Sequence, residues 1–179
     1  MSRYLDPDAA PPDRDGIDER RAQWKAELPD VDTRGMAILG RARRITLAAR
    51  PPIEAIFKAH GLDSGEADVL FTLLRSGPPY RLRPTELFRS LMISSGGLTD
   101  RLNRLAKAGL IRRPAAEGDG RSLPVELTEE GIRRAKAAFQ EDMAIEVAML
   151  SGLTEEEQSE LARLLRKLAL TMADTAPSD

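Results

Sequence analysis

The chain has 179 residues, 41% hydrophobic but only 4% aromatic, enough for one aliphatic core in one domain, or one domain plus an extension. It has no cysteine, which removes disulfides, thiol redox sensing and the common zinc sites, and its single histidine, His60, cannot build a metal cluster or a nucleophilic triad. The net charge of −2 hides a strong asymmetry: Arg75 to Arg121 holds ten basic and four acidic residues, so the remainder is acidic.

Residues 1–14 are proline-bearing and poor in apolar side chains, and read as a flexible tail. That start has no signal-peptide pattern, and no apolar run in the chain is long enough to span a bilayer, so a cytoplasmic protein without membrane partners is expected. From Gly16 to Leu28, Ile17, Arg21, Trp24 and Leu28 share one helical stripe that ends at Pro29. Trp24, the only tryptophan, either anchors this helix through its apolar surface or serves a ligand. Between Thr33 and Ala49, Met36, Ile38, Leu39, Ala42, Ile45 and Leu47 form a broad apolar face. Pro51-Pro52 is expected to bend or interrupt that helix before Ile53–His60, and His60 reads as a helix-end residue before Gly61. Asp63 or Ser64 caps the next helix, which runs to about Arg75 with Ala67, Val69, Leu70, Phe71, Leu73 and Leu74 buried and Asp68 and Thr72 on its polar strip. Ser76-Gly77-Pro78-Pro79 ends it.

The stretch from Pro84 to Leu127 organises the chain. Thr85 is expected to cap a short helix with Leu87, Leu91 and Phe88 inward, and Met92-Ile93-Ser94-Ser95 forms a turn. A second helix starts near Ser94 or Ser95, buries Leu98, Leu102 and Leu105, and stops at Gly109. Leu110–Arg113 and Leu123–Leu127 read as two strands around a loop that turns at Gly118-Asp119-Gly120. The result is a helix-turn-helix with a β-wing. Its second helix offers Ser95, Gly96, Gly97, Thr99 and Asn103, small or amide groups suited to phosphates and base edges, with Arg104 and Lys107 extending the cationic side. Thr128 opens a further helix carrying Ile132, Ala135, Phe139, Met143 and Val147, and Thr154-Glu155-Glu156-Glu157 opens the last, with Leu161, Leu164, Leu165, Leu168 and Met172 on its apolar stripe.

These residues resemble the MarR family of winged-helix transcriptional regulators. The resemblance rests on Leu98-Thr99-Asp100-Arg101-Leu102-Asn103-Arg104-Leu105, Gly109-Leu110-Ile111-Arg112-Arg113, Asp119-Gly120-Arg121-Ser122 and Leu127-Thr128-Glu129-Glu130-Gly131, and spans about residues 33 to 173. It implies a mainly α fold with a small β-hairpin wing, in which residues 62–127 form the DNA-binding domain, 32–61 and 128–174 a helical dimerisation region, and 15–31 an added N-terminal helix. It also implies a homodimer that presents two recognition helices to double-stranded DNA about one turn apart, ~34 Å. The implied DNA-binding residues are Ser94, Ser95, Gly96, Gly97, Thr99, Asp100, Asn103, Arg104 and Lys107, with Arg121 as the wing arginine and Asp119 as the acid that orients it. Gly118 and Gly120 stand where relatives often carry arginine, which implies fewer phosphate contacts and a shallower salt dependence.

Arg101 departs from that pattern: it falls on the buried stripe, where most family members have an apolar residue, and a guanidinium there needs an anion or acceptor. The chain also resembles the urate-responsive branch of the family, and the matching ligand-binding residues are Trp24, Asp68, Arg101 and Arg113. In that arrangement Trp24 stacks on a planar ring, the arginines bind an anion, and ligand near Arg113 disturbs an Arg113–Asp68 interaction. The expected function is a dimeric repressor released from a pseudo-palindromic operator by a small aromatic anion such as urate. A phenolic or other aromatic effector is the first alternative and a dimeric adaptor that does not bind DNA the second. No cofactor or metal is expected. No glycine-rich nucleotide loop, metal-ligand spacing or activated nucleophile points to an enzyme.

Overall fold

The computed structural model describes residues 14–92, 97–113 and 124–174. The chain divides into two compact units, Met1–Arg50 and Pro51–Asp179.

In the first unit, α1 (Gly16–Glu27) opens with a capping box in which Asp15 accepts the Ile17 and Asp18 N–H groups and Asp18 accepts that of Asp15. Arg41 holds this start, donating to Asp15 at 3.0 Å and to Asp18 at 2.7 Å, and its guanidinium keeps the Asp15 carboxyl down at about 2. Ile17 is the buried residue of α1 and packs beside Gly40. Trp24, which the sequence left between an anchor and a ligand contact, is 47% exposed in the single chain.

The helical irregularity expected at Pro51-Pro52 lies earlier. Met36–Gly40 forms a π-helical turn, after which α2 runs from Arg41 to Ala59 with both prolines inside it. The carbonyls that lose their amide donors belong to Leu47 and Ala48, both exposed residues, where water can replace the missing bonds.

The second unit is built around α3 (Ser64–Arg75), in which Val69, Leu70 and Leu73 are fully buried. It packs chiefly against α6 (Glu129–Met149), and Phe57, Phe71 and Phe139 stack edge-to-face with centroid spacings of 5.7 and 5.2 Å. Thr72, placed on the polar strip by its chemistry, is buried, and its hydroxyl accepts a hydrogen bond from Arg75. The helix–turn–helix consists of α4 (Pro84–Ser90) and α5 (Leu98–Lys107), whose Leu87, Leu102 and Leu105 complete the core with Leu110, Val125 and Leu127.

Two local features of α4 differ from those expected. Pro84, with its φ already set, takes the first helical position of α4, so Thr85 lies inside the helix and the Arg83 N–H is accepted by Glu86 instead. Phe88 points out, being 54% exposed.

The sheet has three strands rather than the expected two: β1 (Arg81–Leu82), β2 (Ile111–Arg112) and β3 (Val125–Leu127), ordered β1-β3-β2 and antiparallel throughout. β1 is too short to show alternation, and only its pairing with β3 defines it. Thr128 caps α6 by accepting the Gly131 N–H while donating to the Gly109 carbonyl, which joins the end of the recognition helix to the start of α6. Helix α6 buries Ala135, Ala138 and Asp142 in its first part, whereas Val147 is exposed. After it, α7 (Glu155–Asp174) begins with the expected reciprocal bonds between Thr154 and Glu157. His60 follows α2 and lies 3.2 Å from Glu141.

Candidate nucleic-acid interface

The recognition helix starts at Leu98 rather than at Ser94 or Ser95. Gly97 precedes it with φ of +75°, a left-handed backbone that halts the helix on its N-terminal side and that glycine adopts without Cβ strain. At the other end Gly109 is also left-handed, and the Leu110 and Gly109 amides bond to the Leu105 and Ala106 carbonyls in a Schellman closure. Both ends are therefore defined by backbone chemistry. Between them Leu102 and Leu105 face the core, which turns Thr99, Asn103 and Lys107, spaced by one turn each, to solvent. This exposed row carries hydroxyl, amide and ammonium groups, a donor set for phosphates and base edges.

Asp100 is exposed on the first turn. Together with Pro84, Thr85, Phe88, Arg89 and Leu98 it borders an open hollow of about 600 Å³ between α4 and α5. Arg104 is half exposed but engaged: its Nε donates to Glu66 and its Nη2 to Asp63, each at 2.7 Å, and this pairing raises its pKa further. Ser94, Ser95, Gly96, Asp119 and Arg121 lie outside the described residues, as does the wing turn.

The base of the wing is held by an acid that the sequence reading did not single out. Arg81, Glu126 and Arg112 stand opposite one another in register across the three strands. Glu126, on the central strand and only 7% exposed, accepts from both arginines at 2.8 Å. The two guanidiniums, Arg112 first, hold the Glu126 carboxyl below the usual range against the opposing effect of burial. Its alternation with Val125 and Leu127 would have placed it on a sheet face, but its two partners come from strands 14 and 45 residues away.

The four residues of the expected effector set divide between the units, with Trp24 in the first and Asp68, Arg101 and Arg113 in the second. Asp68, on α3, accepts the Met92 N–H at 2.9 Å, at the exit of α4. Arg101 is partly buried and lies across the N-terminal turn of α3, where a Cβ on Gly65 would overlap its side chain. Arg113, just beyond β2, is exposed. Among the described residues no group of three histidine, cysteine or acidic side chains could hold a metal ion.

A helix–turn–helix, a paired-strand wing base and an exposed polar row on the second helix define a winged-helix DNA-binding protein. Residues 60–122 match the model of the MarR family. The HTH-type transcriptional regulator PecS of Dickeya dadantii is 34% identical over 94% of this chain and 95% of its own length. Among solved structures, the MarR family protein Rv2887 of Mycobacterium tuberculosis in complex with p-aminosalicylic acid is 31% identical, with a TM-score of 0.59 over 74% of this chain and 98% of that one. The organohalide-sensing regulator RdhR-CbdbA1625, in its 2,4-dichlorophenol-bound form, has the same fold, with a TM-score of 0.68 at 19% identity over 79% of this chain and 82% of that one. The chain belongs to the MarR family and is a DNA-binding transcriptional regulator, not an enzyme. Among the described residues, no helix is long and apolar enough to cross a membrane.

Proposed function

We propose that the protein is a homodimeric repressor that binds a pseudo-palindromic operator and is released by a small planar aromatic anion, with urate as the first candidate. The observation that carries the DNA contact is the exposed row of Thr99, Asn103 and Lys107 on a helix whose two ends are set by Gly97 and Gly109. Gly97, Asp100 and the residues outside the described segments, Ser94, Ser95, Gly96, Asp119 and Arg121, complete the proposed contact surface. Dimerisation is supported by the apolar side chains on α7, where Leu161, Leu164, Leu165 and Met172 are all exposed in the single chain.

The effector reading is supported by Arg101. A guanidinium on the inward side of the recognition helix, laid over the backbone of α3 at Gly65, is placed so that an anion bound to it acts on both helices at once. Asp68 supports the same reading, because its bond to the Met92 N–H ties α3 to the segment between α4 and α5. The anion shifts the DNA-binding equilibrium only by as much as it prefers the released arrangement. Aromatic acids and phenols are the alternative effectors, favoured by the p-aminosalicylate and dichlorophenol named with the two structural relatives.

The test is a titration of the protein on its own upstream DNA at fixed salt with urate, xanthine, salicylate and phenols. Release by urate, lost in Arg101→Leu and in Asp68→Asn, is the expected outcome, and Trp24→Phe tests the remaining member of the set drawn from the sequence. Release by salicylate or a phenol alone reassigns the effector. No binding to any promoter fragment at low salt would make the adaptor the better reading.

A further inference from the structure

Arg104 has the charge and exposure of a phosphate contact, yet its guanidinium is turned toward its own protein. The N-terminus of α3 is closed by a capping box in which Asp63 Oδ1 accepts the Glu66 N–H at 2.8 Å and Glu66 Oε2 accepts the Asp63 N–H at 2.9 Å. Each carboxylate thereby uses one oxygen on the cap. The second oxygens, Glu66 Oε1 and Asp63 Oδ2, accept from Arg104 Nε and Nη2, both at 2.7 Å. All four oxygens are occupied in one closed network that joins residues 38 and 41 positions apart. Glu66 is buried, so the network is not a loose surface pair. One turn earlier on α5, Arg101 lies over Gly65, between the two acids in sequence, in space that any Cβ would fill.

We propose that Arg104 is a positioning residue that sets the angle of the recognition helix by locking it onto the capped N-terminus of α3. It does not neutralise a DNA phosphate. A lysine delivers its charge as one compact point with rotatable donors on a flexible stem, whereas the planar guanidinium holds Nε and Nη2 side by side at fixed spacing, and that fork is what the site uses. The inference rests on the DNA-binding reading only for its functional consequence; the lock itself is a property of the free protein.

Operator affinity is measured as a function of salt for the full chain and for Arg104→Lys, Arg104→Ala, Glu66→Gln, the double variant Arg104→Ala with Glu66→Gln, and Lys107→Ala. If Arg104 positions the helix, Arg104→Lys and Arg104→Ala both lose about tenfold in affinity, and the double variant loses no more than the larger single one. Their log K against log salt slope then stays at that of the unaltered protein, whereas Lys107→Ala lowers it by about 0.9, the value for one phosphate. If Arg104→Lys binds as the unaltered protein and Arg104→Ala lowers the slope by about 0.9 additively with Glu66→Gln, Arg104 contacts phosphate and the proposal is overturned. Amide hydrogen exchange of the free protein separates this from a failure of the DNA-binding reading. Faster exchange across Leu98–Lys107 in Arg104→Lys supports the lock even if no DNA is bound, and unchanged exchange overturns it.

Discussion

Helices α3 and α7 are both amphipathic and both leucine-rich, yet they end in opposite situations. α3, with 12 residues, has seven buried; α7, with 20, has none among the described residues. The difference does not come from apolar content, since α7 carries Leu161, Leu164, Leu165, Leu168 and Met172 on one stripe. It comes from company: α3 is covered by α6, α4, α5 and β3, while the leucines of α7 find no equivalent cover in a single chain. The lesson is that an apolar stripe specifies that something must cover it without specifying whether the cover belongs to the same chain. Helix α6 shows both conditions, buried as far as Asp142 and exposed at Val147.

The sharpest way to break this contrast is to delete a leucine from each helix. Leu73→Ala in α3 is expected to cost about 3 kcal/mol in denaturant unfolding, at any protein concentration. Leu164→Ala in α7 is expected to leave the chain folded and instead to raise the concentration at which the proposed dimer dissociates, measured by sedimentation. Equal, concentration-independent losses at the two sites would mean that α7 is covered by its own chain.

A somewhat smaller effect is expected where α6 meets the end of the recognition helix. A Cβ on Gly131 would overlap the Leu110 carbonyl, a backbone atom that cannot rotate away. Gly131→Ala is expected to cost about 2 kcal/mol and to weaken DNA binding, since the same junction carries the Thr128 bond to Gly109. A neutral outcome in thermal unfolding would show that this junction gives more readily than the α3 core.

The smallest effect marks the boundary within α6. Asp142 is 5% exposed, and its Oδ1 has no hydrogen-bond partner among the described residues; burial first, and Glu146 second, push its carboxyl upward. A carboxyl whose pKa is raised on folding binds its proton more tightly in the folded state, so it lowers stability once the pH exceeds the folded value and stops doing so below the unfolded one. Asp142→Asn is therefore expected to raise the melting temperature at neutral pH, with the gain shrinking as the pH falls through the acidic range. A gain that is independent of pH would place the benefit in packing rather than in ionisation.

Much of this was legible in the chain itself because the signals are local. Thr154 with Glu157 announces a helix start at a spacing of three residues and forms the reciprocal bonds that this spacing allows, and the cap expected at Asp63 or Ser64 is Asp63, in the same reciprocal arrangement with Glu66. Gly109 ends the recognition helix where its backbone freedom is needed, and Leu102 and Leu105 are buried as their periodicity requires. The family was legible too, because its motifs sit at fixed offsets within the helix–turn–helix and wing.

What only the tertiary structure decided involves partners distant in sequence or backbone states that several residues can adopt. No local pattern reveals that Glu126 would gather Arg81 and Arg112, or that Arg104 would spend its fork on Asp63 and Glu66. Composition marked these arginines as cationic, and charge alone does not say whether a guanidinium faces phosphate or a carboxylate of its own chain. The prolines of α2 show the same limit from the other side: their missing donors predicted a break, but the carbonyls left over lie on exposed residues, and the helix continues. Sequence by itself determined where most helices lie and much of their apolar faces, since propensity and periodicity act over a few residues. Only the folded arrangement decided which charges pair and which faces stay open, because those depend on what the rest of the chain brings near.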